Sequence, residues 1–205
     1  MTLSIYQLKP KFQQLLSPLL NGLVRLRITP NQITLFAMCL SLAYGLALAV
    51  FPERVLLWAG LPFILLARMA LNAIDGMLAN ASGQKTSLGA MLNEMCDQIS
   101  DVSLYLPFAL AASISAPLLV MVLIAALLAE FAGVLAVMVG SSRRFDGPMG
   151  KSDRAFAFSV LAVLIATGMA PVWLNGVLVA ILVLSLWTLF NRLRQALRFS
   201  APPKQ

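Results

Sequence analysis

Residues 117–140 read PLLVMVLIAALLAEFAGVLAVMVG, with Glu130 as the one charged residue in the run. A stretch this long and this apolar satisfies what a helix needs to cross the ~30 Å hydrocarbon layer of a bilayer. The rest of the chain agrees: of 205 residues, 60% are hydrophobic and 11% charged, and the mean hydropathy is +0.87. A soluble domain carries about 25% charged residues, so an ordinary cytosolic fold, a disordered chain and a secreted disulfide scaffold are all excluded. At roughly 20 residues per crossing, the length holds six spans and no separate soluble domain.

Apolar runs place those spans near 31–51, 55–79, 89–112, 117–140, 154–170 and 172–191. Ahead of them, Ile5, Leu8, Phe12, Leu15, Leu19 and Leu23 recur at three- and four-residue steps between Gln and Lys, the pattern of an amphipathic helix lying in the membrane interface. Lys9, Pro10, Lys11 and Pro18 break any apolar core that a secretory signal would need. Thr29-Pro30-Asn31 joins a capping hydroxyl to a proline at the first helical position, a start signal for span one. The expected fold is therefore an all-α integral membrane protein: an interfacial helix over residues 1–27, a six-transmembrane-helix bundle over 28–199, and a short tail, 200–205.

Charge sets the orientation. The chain has 15 Lys and Arg against 8 Asp and Glu, a net +7. Thirteen of the 15 fall on one face of the proposed topology, at the N-terminal segment, at Lys85, between spans four and five, and after span six. The positive-inside rule makes that face cytosolic, with both termini on it, in a multi-pass protein of the cell's inner membrane. The basic residues form no single stripe with interleaved aromatics, so no nucleic-acid footprint is present. The absence of histidine removes His-ligated zinc and His-based acid–base chemistry. Cys39 and Cys96 read as apolar filler within spans. Trp58, Trp173 and Trp187 are expected at the interfaces.

Acids inside spans are costly and mark functional sites. Here they gather: Asp75 lies near the cytosolic end of span two, and Glu94, Asp97 and Asp101 lie in the first turns of span three. At 100° per residue, Asn93, Asp97, Asp101 and Glu94 fall at about 0°, 40°, 80° and 100°, while Arg68, Asn72 and Asp75 share about 60° of span two. The short 80–88 connection makes the two spans neighbours, so the two polar faces can meet at the cytosolic rim. A solvated helix end with one buried ion pair explains any single residue, but one arginine cannot neutralise four carboxylates. Clustered carboxylate and carboxamide oxygens suit Mg²⁺ or Mn²⁺, and such ions point to phosphates. Glu130, mid-span, is expected to pair with Arg68.

The pattern Asn72-x-x-Asp75-Gly76-x-x-Ala79-Asn80, eight residues, Gly89-x-x-x-Asn93-x-x-x-Asp97 resembles the signature of the CDP-alcohol phosphatidyltransferases, Asp-x-x-Asp-Gly-x-x-Ala-Arg followed by Gly-x-x-x-Asp-x-x-x-Asp. Every gap agrees, and Asp75, Gly76, Ala79, Gly89 and Asp97 agree in type. The interfacial helix, the Thr29–Thr34 opening of span one, the six spans and Gly150-Lys151 extend the likeness over most of the chain. The departures are Asn at 72 and 93, where the family has Asp, and Asn80, where it has Arg.

The resemblance implies a membrane enzyme that moves a phosphatidyl or phosphoalcohol group from a CDP-linked lipid donor to an alcohol acceptor, not named by the sequence, with release of CMP. It implies two divalent ions held by Asn72, Asp75, Asn93 and Asp97, with Asp97 as the base, a nucleotide seat at Asp75, Gly76, Ala79 and Gly89, and a homodimer among membrane lipids. By helix angle, Glu94 restores one of the two lost charges, and Asp101 another one turn deeper. Lys151 and Arg154, three apart at the start of span five, are candidates for a phosphate of the acceptor, and Lys85 is a third. Two rival classes remain: a catalytically silent relative serving as a membrane scaffold, which would explain the three asparagines, and an ion-coupled transporter using the acids as a relay. The acids crowd one rim and no inverted repeat is visible, which is unlike a transporter.

Overall fold

The computed structural model describes residues 9–199, and side chains from Gln14 onward. Ile5, Leu8, the side chain of Phe12 and the tail with Lys204 lie outside the described residues. Those described form seven α-helices: α1 Lys9–Arg25, α2 Pro30–Val50, α3 Val55–Ala81, α4 Ser87–Tyr105, α5 Ala116–Leu135, α6 Lys151–Ala166 and α7 Pro171–Arg198. No strand occurs among them.

The helix limits follow local chemistry. Thr29 caps α2, its hydroxyl accepting from the Gln32 amide while the Gln32 side chain accepts from the Thr29 amide, with Pro30 at the first turn; this is the expected start signal in reciprocal form. Span three was expected to run on to residue 112. Instead α4 stops at Tyr105 and tightens into a 3-10 turn, Leu106–Leu110, because Pro107 has no amide hydrogen and its ring excludes a regular α-helical turn before it. Likewise α5 tightens into a 3-10 turn over Ala136–Val139. Beyond its expected end at 191, α7 continues to Arg198.

Four helices are long and apolar enough to cross a bilayer: α2, α3, α5 with its 3-10 extension, and α7. The remaining two expected spans differ for physical reasons. Helix α4 carries Glu94, Asp97 and Asp101 in its 19 residues, and α6 has only 16 residues, about 24 Å at 1.5 Å per residue.

The chain divides into two compact units, Met1–Pro107 and Phe108–Gln205. In the first, α2 packs against both α3 and α4, and α1 lies on α3. Gly45 permits the close approach of α2 to α4, since a Cβ there would collide with the Ser103 carbonyl. Leu16, Leu20 and Leu23 of α1 pack on Ile33, Ile74 and Leu78, whereas Leu15 and Leu19, expected on the same apolar face as Leu23, are exposed. Trp58 is 2% exposed, and its indole N–H donates to the Pro52 carbonyl at 2.8 Å. One turn into α3, the indole nitrogen thus finds a backbone partner in the loop before that helix. Trp173 and Trp187 are exposed. In the second unit α7 packs against α5 and α6.

Candidate active site

The two half-motifs meet. A cavity of about 260 Å³ opens between the start of α2, the end of α3 and the start of α4, lined among others by Thr34, Asp75, Gly76, Ala79, Gly89 and Asn93. Five of these come from the end of one helix and the start of the next, which the 80–88 connection folds back upon each other. The connection itself contributes Gln84, Lys85 and Thr86 to the wall. Gly89 also lets α4 lie close to the start of α2: a Cβ at this position would lie 3.0 Å from Asn31 Oδ1 and 3.1 Å from Thr86 Oγ1.

Asp75 is buried, and its Oδ2 accepts a 2.8 Å hydrogen bond from the Thr34 hydroxyl. Sequence reasoning missed Thr34 as a site residue, together with Asn31, Gln84 and Thr86. The available signal was spacing: Asn31 and Thr34 are three apart on the helix that Thr29 caps, and so share a face. Asn93 Oδ1 is buried without a hydrogen-bond partner, in the wall that it shares with Asp75. A carbonyl oxygen left without a donor costs free energy unless something electropositive completes it.

Deeper along α3 and α4 lies a charge network outside the cavity lining. The Arg68 guanidinium, 5% exposed, bridges α4: its Nη1 donates to Asp101, and its Nη2 donates to the Asp97 carbonyl at 2.9 Å and to Asp97 Oδ1 at 3.3 Å. The Asn72 amide nitrogen donates to the same Asp97 Oδ1. An ionised carboxylate is acceptor-only, so the carboxamide turns its NH₂ toward it. Asn72, expected as an oxygen ligand, is thus a hydrogen-bond donor to Asp97. Asp101, expected to restore ligand charge, is the ion-pair partner of Arg68. Glu94 is half-buried, and Lys85 is exposed.

The expected pairing of Arg68 with Glu130 is corrected. Glu130 is held from three sides within the second unit: Oε1 to Arg154 Nη1 at 3.0 Å, Oε2 to Arg192 Nη1 at 3.0 Å, and Oε2 to Arg143 Nη2 at 3.7 Å. Arg154, expected at a phosphate, is 1% exposed against this carboxylate. Its position three residues after Lys151 turns it inward, since Gly150 caps α6 and its amide hydrogen is taken by Asp153 Oδ2 at 3.1 Å. Arg192 also donates to the Ala129 carbonyl at 2.7 Å. In the loop between α5 and α6, Arg144 makes a bidentate pair with Asp146 at 2.8 and 3.1 Å, and Arg143 stacks on the Phe145 ring at 4.5 Å. Burial and, secondarily, the Arg192 cation pull the Arg143 guanidinium down to about 10, so it remains charged at neutral pH at a cost to the fold.

The comparisons agree with the motif. The family model described as CDP-alcohol phosphatidyltransferase matches residues 27–190. Inner membrane protein YnbA of Escherichia coli (strain K12) is 44% identical over 97% of this chain and 99% of its own length. Archaetidylinositol phosphate synthase of Pyrococcus horikoshii is 29% identical over 86% of this chain and 88% of its own. The crystal structure of Mycobacterium tuberculosis phosphatidylinositol phosphate synthase with CDP-DAG bound has a TM-score of 0.74 at 22% identity, covering 89% of this chain and 94% of that one. The same enzyme in complex with manganese and citrate has a TM-score of 0.72 at 22% identity, with 88% of each chain covered.

The chain belongs to the CDP-alcohol phosphatidyltransferase family: a membrane-embedded enzyme of phospholipid biosynthesis that transfers a phosphatidyl or phosphoalcohol group from a CDP-linked donor.

Proposed function

We propose that the chain transfers the phosphatidyl group of CDP-diacylglycerol to the hydroxyl of a phosphorylated alcohol, releasing CMP at the cytosolic leaflet. The observation that carries this reading is the cavity in which Asp75, Gly76, Ala79, Gly89 and Asn93 converge beside Thr34 and Lys85. The relative solved with CDP-DAG and the inositol phosphate synthases among the similar proteins support the donor and the acceptor class.

The residues present fit a hard divalent cation, Mg²⁺ or Mn²⁺. Asn93 Oδ1 is a buried carbonyl lacking a donor, Asp75 shares its wall, and Asp97 follows one turn later on α4, so a carboxylate and carboxamide oxygen set is available. Among the described residues no three His, Cys, Asp or Glu side chains group as a metal cluster, so carboxamide oxygen has to complete the set. Asp75, Asn93 and Asp97 would hold the ion, with Glu94 as an added carboxylate at the rim. When bound, it would neutralise the donor pyrophosphate and acidify the acceptor hydroxyl.

The chain's own groups do the rest. Thr34 orients Asp75 by its hydrogen bond. Gly76, Ala79 and Gly89 leave the nucleotide room, and Lys85 meets its phosphates. Asp97 accepts the proton of the acceptor hydroxyl as that oxygen bonds to phosphorus and the bond from phosphorus to the CMP oxygen breaks. In the second unit, Arg143, Arg154 and Arg192 surround one carboxylate, and this surplus, with Lys151, supports recognition of the acceptor's phosphate.

All six helices α2–α7 would cross the membrane, α4 and α6 shielded by their neighbours, as one domain over 28–199 with both termini cytosolic. Helix α1 would lie in the interface: Leu15, Leu19 and Val24 are exposed, as is Leu26 just past its end, while Leu16, Leu20 and Leu23 pack inward. The family likeness also implies a homodimer. The test uses purified protein in detergent with CDP-diacylglycerol, Mn²⁺ and a panel of phosphorylated and plain alcohols. CMP release only with a phosphorylated acceptor supports the proposal; movement of ions in liposomes, or no CMP with any acceptor, sinks it.

A further inference from the structure

We infer that Arg68 is a positioning residue that stands, together with Asn72, where a second divalent ion would otherwise sit, so that each chain takes a single ion. The inference rests on the proposed reading of the site.

Arg68 precedes Asn72 by four residues on α3, so the two share a face. Both aim N–H donors at Asp97 Oδ1, and Arg68 extends to Asp101 and to the Asp97 carbonyl. The α3-facing oxygen of Asp97 is thereby engaged by protein cation and amide. A cation bridging the 72 and 97 side chains would have to displace both. Aspartate at 72 would confront the Asp97 carboxylate and need a metal between them; asparagine with Arg68 behind it does not.

Charge counting gives the same answer. Counted over the buried side chains of α3 and α4, three carboxylates, Asp75, Asp97 and Asp101, stand against one guanidinium, Arg68, which pairs with Asp97 and Asp101: a formal charge of −2. One divalent ion closes that balance, and two would leave +2 in a poorly solvated site, where uncompensated charge is expensive. Glu94 is half-buried and is not among the buried charges. Asn93 Oδ1, a buried oxygen without a hydrogen-bond partner, lies on the cavity wall with Asp75 and not among the groups that Arg68 is seen to touch, which marks the side left for the ion.

The experiment counts Mn²⁺ per full-length chain in detergent by metal analysis and reads ion–ion coupling by electron paramagnetic resonance. Wild type is expected to bind one ion with an uncoupled six-line spectrum, and R68M/N72D two ions with a coupled spectrum. R68K keeps the charge but not the fork, and is expected to retain one ion while kcat for CMP release falls ~10–100-fold, the usual range for a group that orients a ligand. Two coupled ions in wild type, one ion in R68M/N72D, or an unchanged kcat in R68K would each overturn the inference. If the double variant does not fold, wild type and R68K decide it. One bound ion without CMP release would sink the transferase reading and leave the ion count standing; two ions with CMP release would sink this inference alone.

Discussion

Two buried ion clusters in this chain are near mirror images in charge. On α3 and α4, Asp97 and Asp101 share one guanidinium, with the buried Asp75 beyond them, whereas in the second unit Arg143, Arg154 and Arg192 share the single carboxylate of Glu130. A fold built for stability alone would match its buried charges, because each unmatched one costs several kcal/mol. On the proposed reading the imbalance belongs to ligands: a cation would complete the acid-rich cluster and an anion the base-rich one. The acid-rich cluster borders a cavity through Asp75 and Asn93, while the base-rich one is sealed around Glu130 and leaves Arg143 the most accessible of its cations, at 25%.

The largest expected effect breaks the acid-rich side. Asp97→Ala should lower CMP release ~10²–10⁴-fold, the range for loss of a general base; measurable turnover near wild type would show that the proton goes elsewhere. Next, Glu130→Ala removes the counter-charge of Arg154 and Arg192, both about 1% exposed. It should cost about 3–5 kcal/mol of stability, read as a fall in the detergent unfolding midpoint. An unshifted midpoint would mean that the second cluster is already balanced by solvent.

Smaller effects sharpen the contrast. Thr34→Val removes the donor to Asp75 Oδ2 without changing volume much, and Mn²⁺ affinity should drop about tenfold in a titration, at the low end for a ligand-orienting hydrogen bond. Arg143→Gln should raise stability slightly and raise KM for a phosphorylated acceptor. The sign follows from the depressed pKa: the folded chain holds this cation less readily than the unfolded one, so the penalty is present at neutral pH. It fades as pH rises through about 10. In wild type, acceptor affinity should therefore weaken over the same alkaline range, as the charge is lost. A pH profile for acceptor KM that is flat through that range would remove Arg143 from the acceptor site.

Much of the site was legible because its signal is local. Thr29-Pro30 marked the start of α2 to the residue. The spacing of Asp75, Gly76, Ala79, Gly89 and Asn93 identified five residues of one cavity wall, because two helices joined by a short connection must bring the end of one to the start of the next. Thr34 was not legible in the same way: a hydroxyl inside an apolar run most often bonds its own backbone, as Thr34 also does to Pro30 at 3.2 Å. The Arg68–Glu130 pairing failed for a related reason. Helix angles rank residues by face but carry no information about axial height between helices that are not adjacent in the chain.

Composition, periodicity and the two-part motif, by themselves, determined a membrane bundle, its helix starts, the family and the residues that ring the cavity, since all of these depend on neighbours within a few turns. Only the tertiary structure decided which groups meet: Arg68 with Asp97 and Asp101, Glu130 with three arginines, and the Asn72 amide with Asp97. Buried ion pairs are set by the rotation and register of one packed helix against another, to within the length of a hydrogen bond, and no pattern along a single helix specifies that.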